Sequence, residues 1–212
     1  MAKSSFSPQE VQQALILLCD RIIAAEPQLS EADRNLGDGD HGLGMQRGMT
    51  AAREKLLAAP AGGVDQSFSA VGMAMMSSMG GASGAIFGTF FRAGGKALVG
   101  KPELDGAGLA ALLRAGVDGV KQRGGAQVGD KTVVDALEPA AVAAAEFSER
   151  PLSEVAAAAA SAAWAGVESS KQMIAKFGRA KTLGEACLGF PDAGAISAAL
   201  MLQAIADQSS AE

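Results

Sequence analysis

Ser7-Pro8-Gln9-Glu10-Val11-Gln12-Gln13-Ala14-Leu15-Ile16-Leu17-Leu18-Cys19-Asp20-Arg21-Ile22 decides the fold class. A serine hydroxyl can cap a free amide, proline suits the first helical position, and the glutamate three residues after the serine closes a capping box. Behind this start, Val11, Ala14, Leu15, Leu18 and Ile22 recur at the spacing of one buried helical face. Leu109, Leu112, Leu113, Gly116, Val117 and Val120 repeat the pattern. Ser153, Asp130 and Asp192 read as further caps before later helices. No stretch alternates with a period of two, so no strand is expected and the chain reads as all-α. The spacing predicts helices over 8–26, 42–59, 64–79, 82–99, 106–123, 131–147, 153–176 and 193–208. Their short links favour antiparallel neighbours. Pro139 is expected to kink or divide the sixth. The longest irregular pieces are 27–41 and 177–192.

Composition narrows the chemistry. Of 212 residues 49% are hydrophobic and only 4% aromatic, so the chain folds around small and aliphatic side chains. A net charge of −5 gives no general attraction for nucleic acid or an anionic membrane. Cys19 and Cys187 are too few for a disulfide framework, and His41, the single histidine, excludes any site needing two. No composition shift marks a linker, so residues 1–212 read as one domain. The uncharged run 66–91 carries Gly80, Gly84 and Gly88 at membrane-helix spacing, but its serines and the Gly80-Gly81 break oppose a span. The N-terminus lacks the apolar core of a secretory signal. A soluble, cytoplasmic protein is expected.

The most informative segment is Asp33-Arg34-Asn35-Leu36-Gly37-Asp38-Gly39-Asp40-His41-Gly42. Its glycines let the chain curl, so that three carboxylates can converge on a hard divalent cation. Ser30-Glu31-Ala32-Asp33 also fits an ordinary capping box, and Asp-Gly pairs form turns. An EF-hand is excluded, because counting from Asp38 puts Gly42 at the fifth position and Met49 at the twelfth. Ser77-Ser78-Met79-Gly80-Gly81-Ala82-Ser83-Gly84 ends one helix and opens another, which suits either a phosphate cradle or close helix packing. It is not a P-loop, and no strand precedes it. Gly129-Asp130-Lys131-Thr132 reads as a helix start whose threonine can face a ligand. Arg179, in the second irregular piece, can neutralise phosphate charge or stay solvated.

In this order, Gly37-Asp38-Gly39-Asp40-His41-Gly42, Gly80-Gly81-Ala82-Ser83-Gly84 with Gly88-Thr89-Phe90-Phe91, Gly129-Asp130-Lys131-Thr132, Gly178-Arg179-Ala180 and Leu183-Gly184-Glu185 resemble the nucleotide-binding L subunit of dihydroxyacetone kinases. The resemblance runs from about residue 33 to 195. It implies eight antiparallel amphipathic helices in a closed up-and-down barrel, with ADP or ATP held at one end. By the family pattern Asp33, Asp38 and Asp40 bind two Mg²⁺. His41, Gly42, Leu43 and Gly44 line the nucleotide, Ala82 and Ser83 hold phosphate, and Gly124 and Thr132 add contacts. Arg179 serves catalysis and, with Asp192, Ala193 and Gly194, completes the pocket. The implied reaction is phosphoryl transfer to dihydroxyacetone held on a separate K-type subunit, with a phosphohistidine protein of the phosphotransferase system as donor. His41 is not the expected phosphoacceptor; the nucleotide is. An erythrulose-type kinase using ATP directly and a non-catalytic nucleotide-binding module are the alternatives. Gly44, Ala85, Lys181-Thr182, Ala186 and Ala193 depart from the family's usual asparagine, proline, Ser-Tyr, arginine and proline.

Overall fold

The structure, a computed structural model, describes residues 2–210. Within them lie nine α-helices: α1 (Pro8–Ala24), α2 (Glu26–Arg34), α3 (His41–Leu57), α4 (Val64–Ser78), α5 (Gly81–Lys96), α6 (Gly106–Gly124), α7 (Val134–Glu146), α8 (Leu152–Ser170) and α9 (Ala193–Ser210). Two short strands, β1 (Ser5–Phe6) and β2 (Leu104–Asp105), and a 3-10 segment, Arg179–Cys187, complete the elements.

The expected helices are present and close a ring. Packing runs α1–α3–α4–α5–α6–α7–α8–α9 and back to α1, an eight-helix barrel. Helix α2 lies outside that cycle and packs on α3 and α9. One continuous apolar core takes residues from every helix, because each presents a single apolar stripe that only its neighbours can cover. Alanine and glycine keep the helices close, and the few rings cluster, with Phe90 edge-on to Phe91 at 5.4 Å. Polar pairs tie the ring where helices adjoin: Arg21 to Asp207 at 2.6 Å joins α1 to α9, and Arg53 to Asp20 at 2.7 Å joins α3 to α1. No helix among the described residues is long and apolar enough to cross a membrane.

Residues 3–6 lace one pole. Lys3 N–H donates to Ser209 O at 3.1 Å, and Leu152 and Ser153 N–H donate to Ser4 and Lys3 carbonyls at 3.0 and 3.1 Å. Phe6 pairs with Leu104 across the strand bridge. That pole therefore gathers the starts of α6 and α8 and the end of α9.

Several sequence expectations are corrected. The first helix stops at Ala24 and α2 occupies part of the piece expected to be irregular, because Leu29 and Ala32 give it a buried face. Ser30 lies inside α2 and donates to Glu26 Oε1 at 2.6 Å, so it caps nothing. A strand pair does exist, two residues long. Ser153 lies within α8 rather than capping it, because the Ser4 and Lys3 carbonyls serve the first amides instead. Asp130 lies ahead of α7, which begins at Val134, and accepts from Gln127 N–H at 2.7 Å. Helix α8 ends at Ser170, not 176. Pro139 leaves α7 undivided: the Asp135 carbonyl that loses its helical donor faces Gly166, where a Cβ would come within 2.0 Å of it. The Ser7 capping box is present, with Glu10 accepting from Ser7 N–H at 2.8 Å. Asp192 does cap α9, accepting from Ala195 N–H at 2.8 Å.

Candidate functional site

An up-and-down ring puts alternate helix starts at the same pole. The starts of α3, α5, α7 and α9, opposite the residue 3–6 lacing, open on a cavity of about 390 Å³. Four positive dipole ends and their free amides thus face one space. Gly80 (φ 71°) and Gly81 (φ 62°) turn the chain into α5 through left-handed backbone that few side chains allow.

Into the same space the acidic loop sends Asp33, Asp38 and Asp40, whose carboxylates offer oxygens within 4.8 Å of one another. Asp33 sits in the last turn of α2, and its carboxylate accepts from His41 N–H, the first amide of α3, at 3.2 Å. Arg179 forms ion pairs with Asp38 and, at 3.7 Å, with Asp40. This oxygen set fits a hard divalent cation: three like charges so close require a positive counterpart, and a single exposed guanidinium supplies only part of it. The rest of the wall is mixed. Met79, Ile86 and Phe87, at the close of α4 and the start of α5, give the wall an apolar patch that suits a planar base.

His41 is 9% exposed and its Nε2 lies 2.8 Å from Ser197 Oγ, which itself donates to Ala193 O. That network puts the ring proton on Nε2 and leaves Nδ1 as an acceptor 3.5 Å from Ser83 Oγ. Burial lowers the pKa of His41, with Asp33 opposing, and so favours the neutral ring. Asp192 is pushed up to about 7, chiefly by burial; its bond from Ala195 N–H and the charge of Lys131 oppose this, and Asp135 and Asp33 reinforce it.

Of the residues singled out from sequence, Asp33, Asp38, Asp40, His41, Gly44, Ala82, Ser83, Thr132, Arg179, Asp192, Ala193 and Gly194 line the cavity. Gly42, Leu43 and Gly124 do not. Gly42 packs against α2, where a Cβ would meet Glu26 O at 2.3 Å, and Leu43 is 53% exposed. Gly124 ends α6 beside Ile86. Gly44 faces the cavity with open space where a Cβ would stand, so the asparagine usual in the resembling family has room here.

Two cations in the wall escaped the sequence reading. Arg47 donates to the carbonyls of Ser78 at 3.0 Å and Met79 at 2.9 Å, covering the end of α4 beside the Gly80-Gly81 turn. It follows Gly44, which faces the cavity, by one helical turn. Lys131, named within a motif but given no role, is buried, and that burial lowers its pKa.

Comparison with known proteins agrees with this geometry. The DAK2 domain model matches residues 35–207. The PEP-dependent dihydroxyacetone kinase ADP-binding subunit DhaL of Escherichia coli is 40% identical over 89% of this chain and 91% of its own length. The L-erythrulose kinase of Pectobacterium atrosepticum is 36% identical over 96% of this chain, which spans only 35% of that protein. The crystal structure of the dihydroxyacetone kinase from C. freundii in complex with AMP-PNP and Mg²⁺ superposes with a TM-score of 0.75 at 27% identity, over 98% of this chain and 36% of that one. Ring topology, the convergent carboxylates and these matches together show that the chain belongs to the DAK2 domain family.

Proposed function

We propose that this chain, working as one unit, is the nucleotide-binding subunit of a dihydroxyacetone-type kinase. The observation that carries the reading is three carboxylates facing four helix starts across one cavity. Anionic phosphates suit the helix starts but would be repelled by the aspartates, so the two groups coexist only with cations between them.

Asp33, Asp38 and Asp40 hold two Mg²⁺ in this reading. When bound, those ions supply about +4 against roughly −3 from ADP and −3 from the carboxylates, and they polarise the transferring phosphoryl group. The amides of the Gly80–Ser83 turn and the Ser83 hydroxyl hold phosphate oxygens. Thr132 and the Asp192–Gly194 turn shape the far wall, and His41, neutral and anchored to Ser197, orients Ser83. Arg179 reaches over the acidic loop from an exposed segment and balances charge that grows during transfer. In this reading the ketose is held on a separate K-type subunit. Dihydroxyacetone and erythrulose, named for the relatives, are both small ketoses of this kind. Phe177, Leu183, Leu188 and Phe190 leave an exposed apolar rim around Arg179, a suitable face for that partner. The PEP dependence in the name of the E. coli relative favours a phosphohistidine protein as donor to bound ADP.

Denaturing the purified protein and identifying released nucleotide by mass spectrometry tests this. Stoichiometric ADP is expected, and Asp38→Ala should release it while the helical circular dichroism persists. Nucleotide retained by that variant would refute the metal assignment.

A further inference from the structure

Lys131 has no role in the chemistry above, yet its setting is unusual. It is 2% exposed and is the single non-glycine residue at positive φ (58°) among the described residues. Its Nζ donates to Ser170 O and to Phe190 O, each at 2.6 Å. Ser170 ends α8, and Phe190 stands two residues before the Asp192 cap of α9. One ammonium therefore ties together both ends of the segment 171–190, which carries Arg179.

Other bonds make the same closure. Gly189 N–H donates to Lys171 O at 2.8 Å, and Asp192 N–H donates to Ser170 Oγ at 3.1 Å. Further along, Lys176 N–H donates to Asp130 O at 3.1 Å, and Lys176 Nζ pairs with Asp130 Oδ1 at 2.8 Å. The segment has little core of its own: Ala175 and Cys187 pack with Leu36 of the acidic loop, while Ile174, Phe177, Leu183 and Leu188 stay exposed. A loop with so little packing takes its shape from its polar ties, and a charged donor shared by two carbonyls is a strong one.

The geometry points to Lys131 as a positioning residue: its ammonium closes the neck of the segment 171–190 and so fixes where Arg179 meets the acidic loop and a bound phosphate tail. Two of the three ammonium protons are spent on the carbonyls that close the segment. The left-handed backbone at Lys131 belongs to the same arrangement, in which the side chain runs from the Gly129–Thr132 turn to Ser170 O at the end of α8. This inference rests on the proposal that the cavity holds Mg·nucleotide.

A double-mutant cycle between Lys131 and Arg179 tests it, with Mg·ADP binding measured by calorimetry and amide hydrogen exchange read over 171–190. Lys131→Met keeps the stem and removes the charge. It is expected to weaken Mg·ADP binding about tenfold and to speed exchange in the segment. In an Arg179→Ala background the same change should alter binding by less than about twofold, because its route to the ligand is gone. An equal loss in both backgrounds, or unchanged exchange, overturns the inference. Should Lys131→Met fail to fold, Lys176→Met loosens the same segment from its exposed side. About threefold weaker binding is then expected, again only while Arg179 is present, and a loss independent of Arg179 overturns the idea. If the wild-type protein binds no Mg·ADP, the functional proposal falls instead, and the exchange measurement still decides whether Lys131 closes the neck.

Discussion

Gly42→Ala tests how α2 aims the acidic loop. The added Cβ would meet Glu26 O at 2.3 Å, Ser30 Oγ at 2.4 Å and Ser30 N at 2.6 Å. Two of these atoms are backbone and cannot rotate aside. Ordinary contact begins near 3.4 Å, so α2 must retreat by about 1 Å. Asp33 rides in the last turn of α2 and moves with it. On the proposed reading, in which Asp33 holds Mg²⁺, the ion demands oxygens at about 2.1 Å with a tolerance of roughly 0.2 Å, so such a retreat withdraws one carboxylate from the set. A 1 Å misplacement of this kind costs about 100-fold, or about 2.7 kcal/mol, and calorimetric titration with Mg·ADP should show it. Overpacking should also cost about 1–3 kcal/mol of stability, at roughly 2–4 °C of Tm per kcal/mol. Gly44→Ala is the control for stability on the same helix: its Cβ meets nothing within 4 Å, so Tm should hold. A Gly42→Ala protein that binds Mg·ADP like wild type would refute the claim that α2 sets the position of Asp33.

Two further outcomes are expected. Arg114 and Lys121 hold the carboxyl of Glu138 at about 2, chiefly through the hydrogen bond from Arg114, against a usual 4.5. Since the folded value lies below the unfolded one, the stabilisation is present above pH 4.5 and fades as pH falls toward 2. Glu138→Gln should therefore cost about 1–3 kcal/mol in urea unfolding at pH 7 and progressively less toward pH 2.5; a pH-independent difference would show that the ion pairs contribute nothing. Cys19 and Cys187 are fully buried, and desolvation pushes the Cys19 thiol up to about 12. A disulfide exchange reagent at pH 8 should label neither in the folded protein and both in urea, and rapid native labelling of Cys19 would contradict its place in the core.

The ring helices were legible because each carries its own evidence, as α1 does with Ser7, Pro8, Glu10 and a stripe from Val11 to Ile22. Helix α2 was not. It has no side-chain cap, its start at Glu26–Pro27 looks like a break, and Leu29 and Ala32 are too few to show a period. The same limit explains Ser153 and Asp130: both have the chemistry of a cap, but the chain partners that displaced them, Ser4 and Lys176, are remote in sequence. The three aspartates could be read as a group because they share one short loop. The wall cations could not, since Arg47 and Lys131 acquire meaning only from carbonyls on α4 and α8. Gly42 stood next to His41 in the motif and was grouped with it, although helical geometry turns its neighbour's side chain to the cavity and its own α-carbon to α2.

Because Lys3, just ahead of β1, is bonded to the close of α9 at the pole away from the cavity, anything attached there hangs behind the molecule, not across its opening. A fluorophore, an immobilising tether or a flexible linker to another polypeptide attached at that pole leaves the mouth of the cavity clear. Surface immobilisation through that pole would present every copy with its mouth outward, ready to meet a partner in solution.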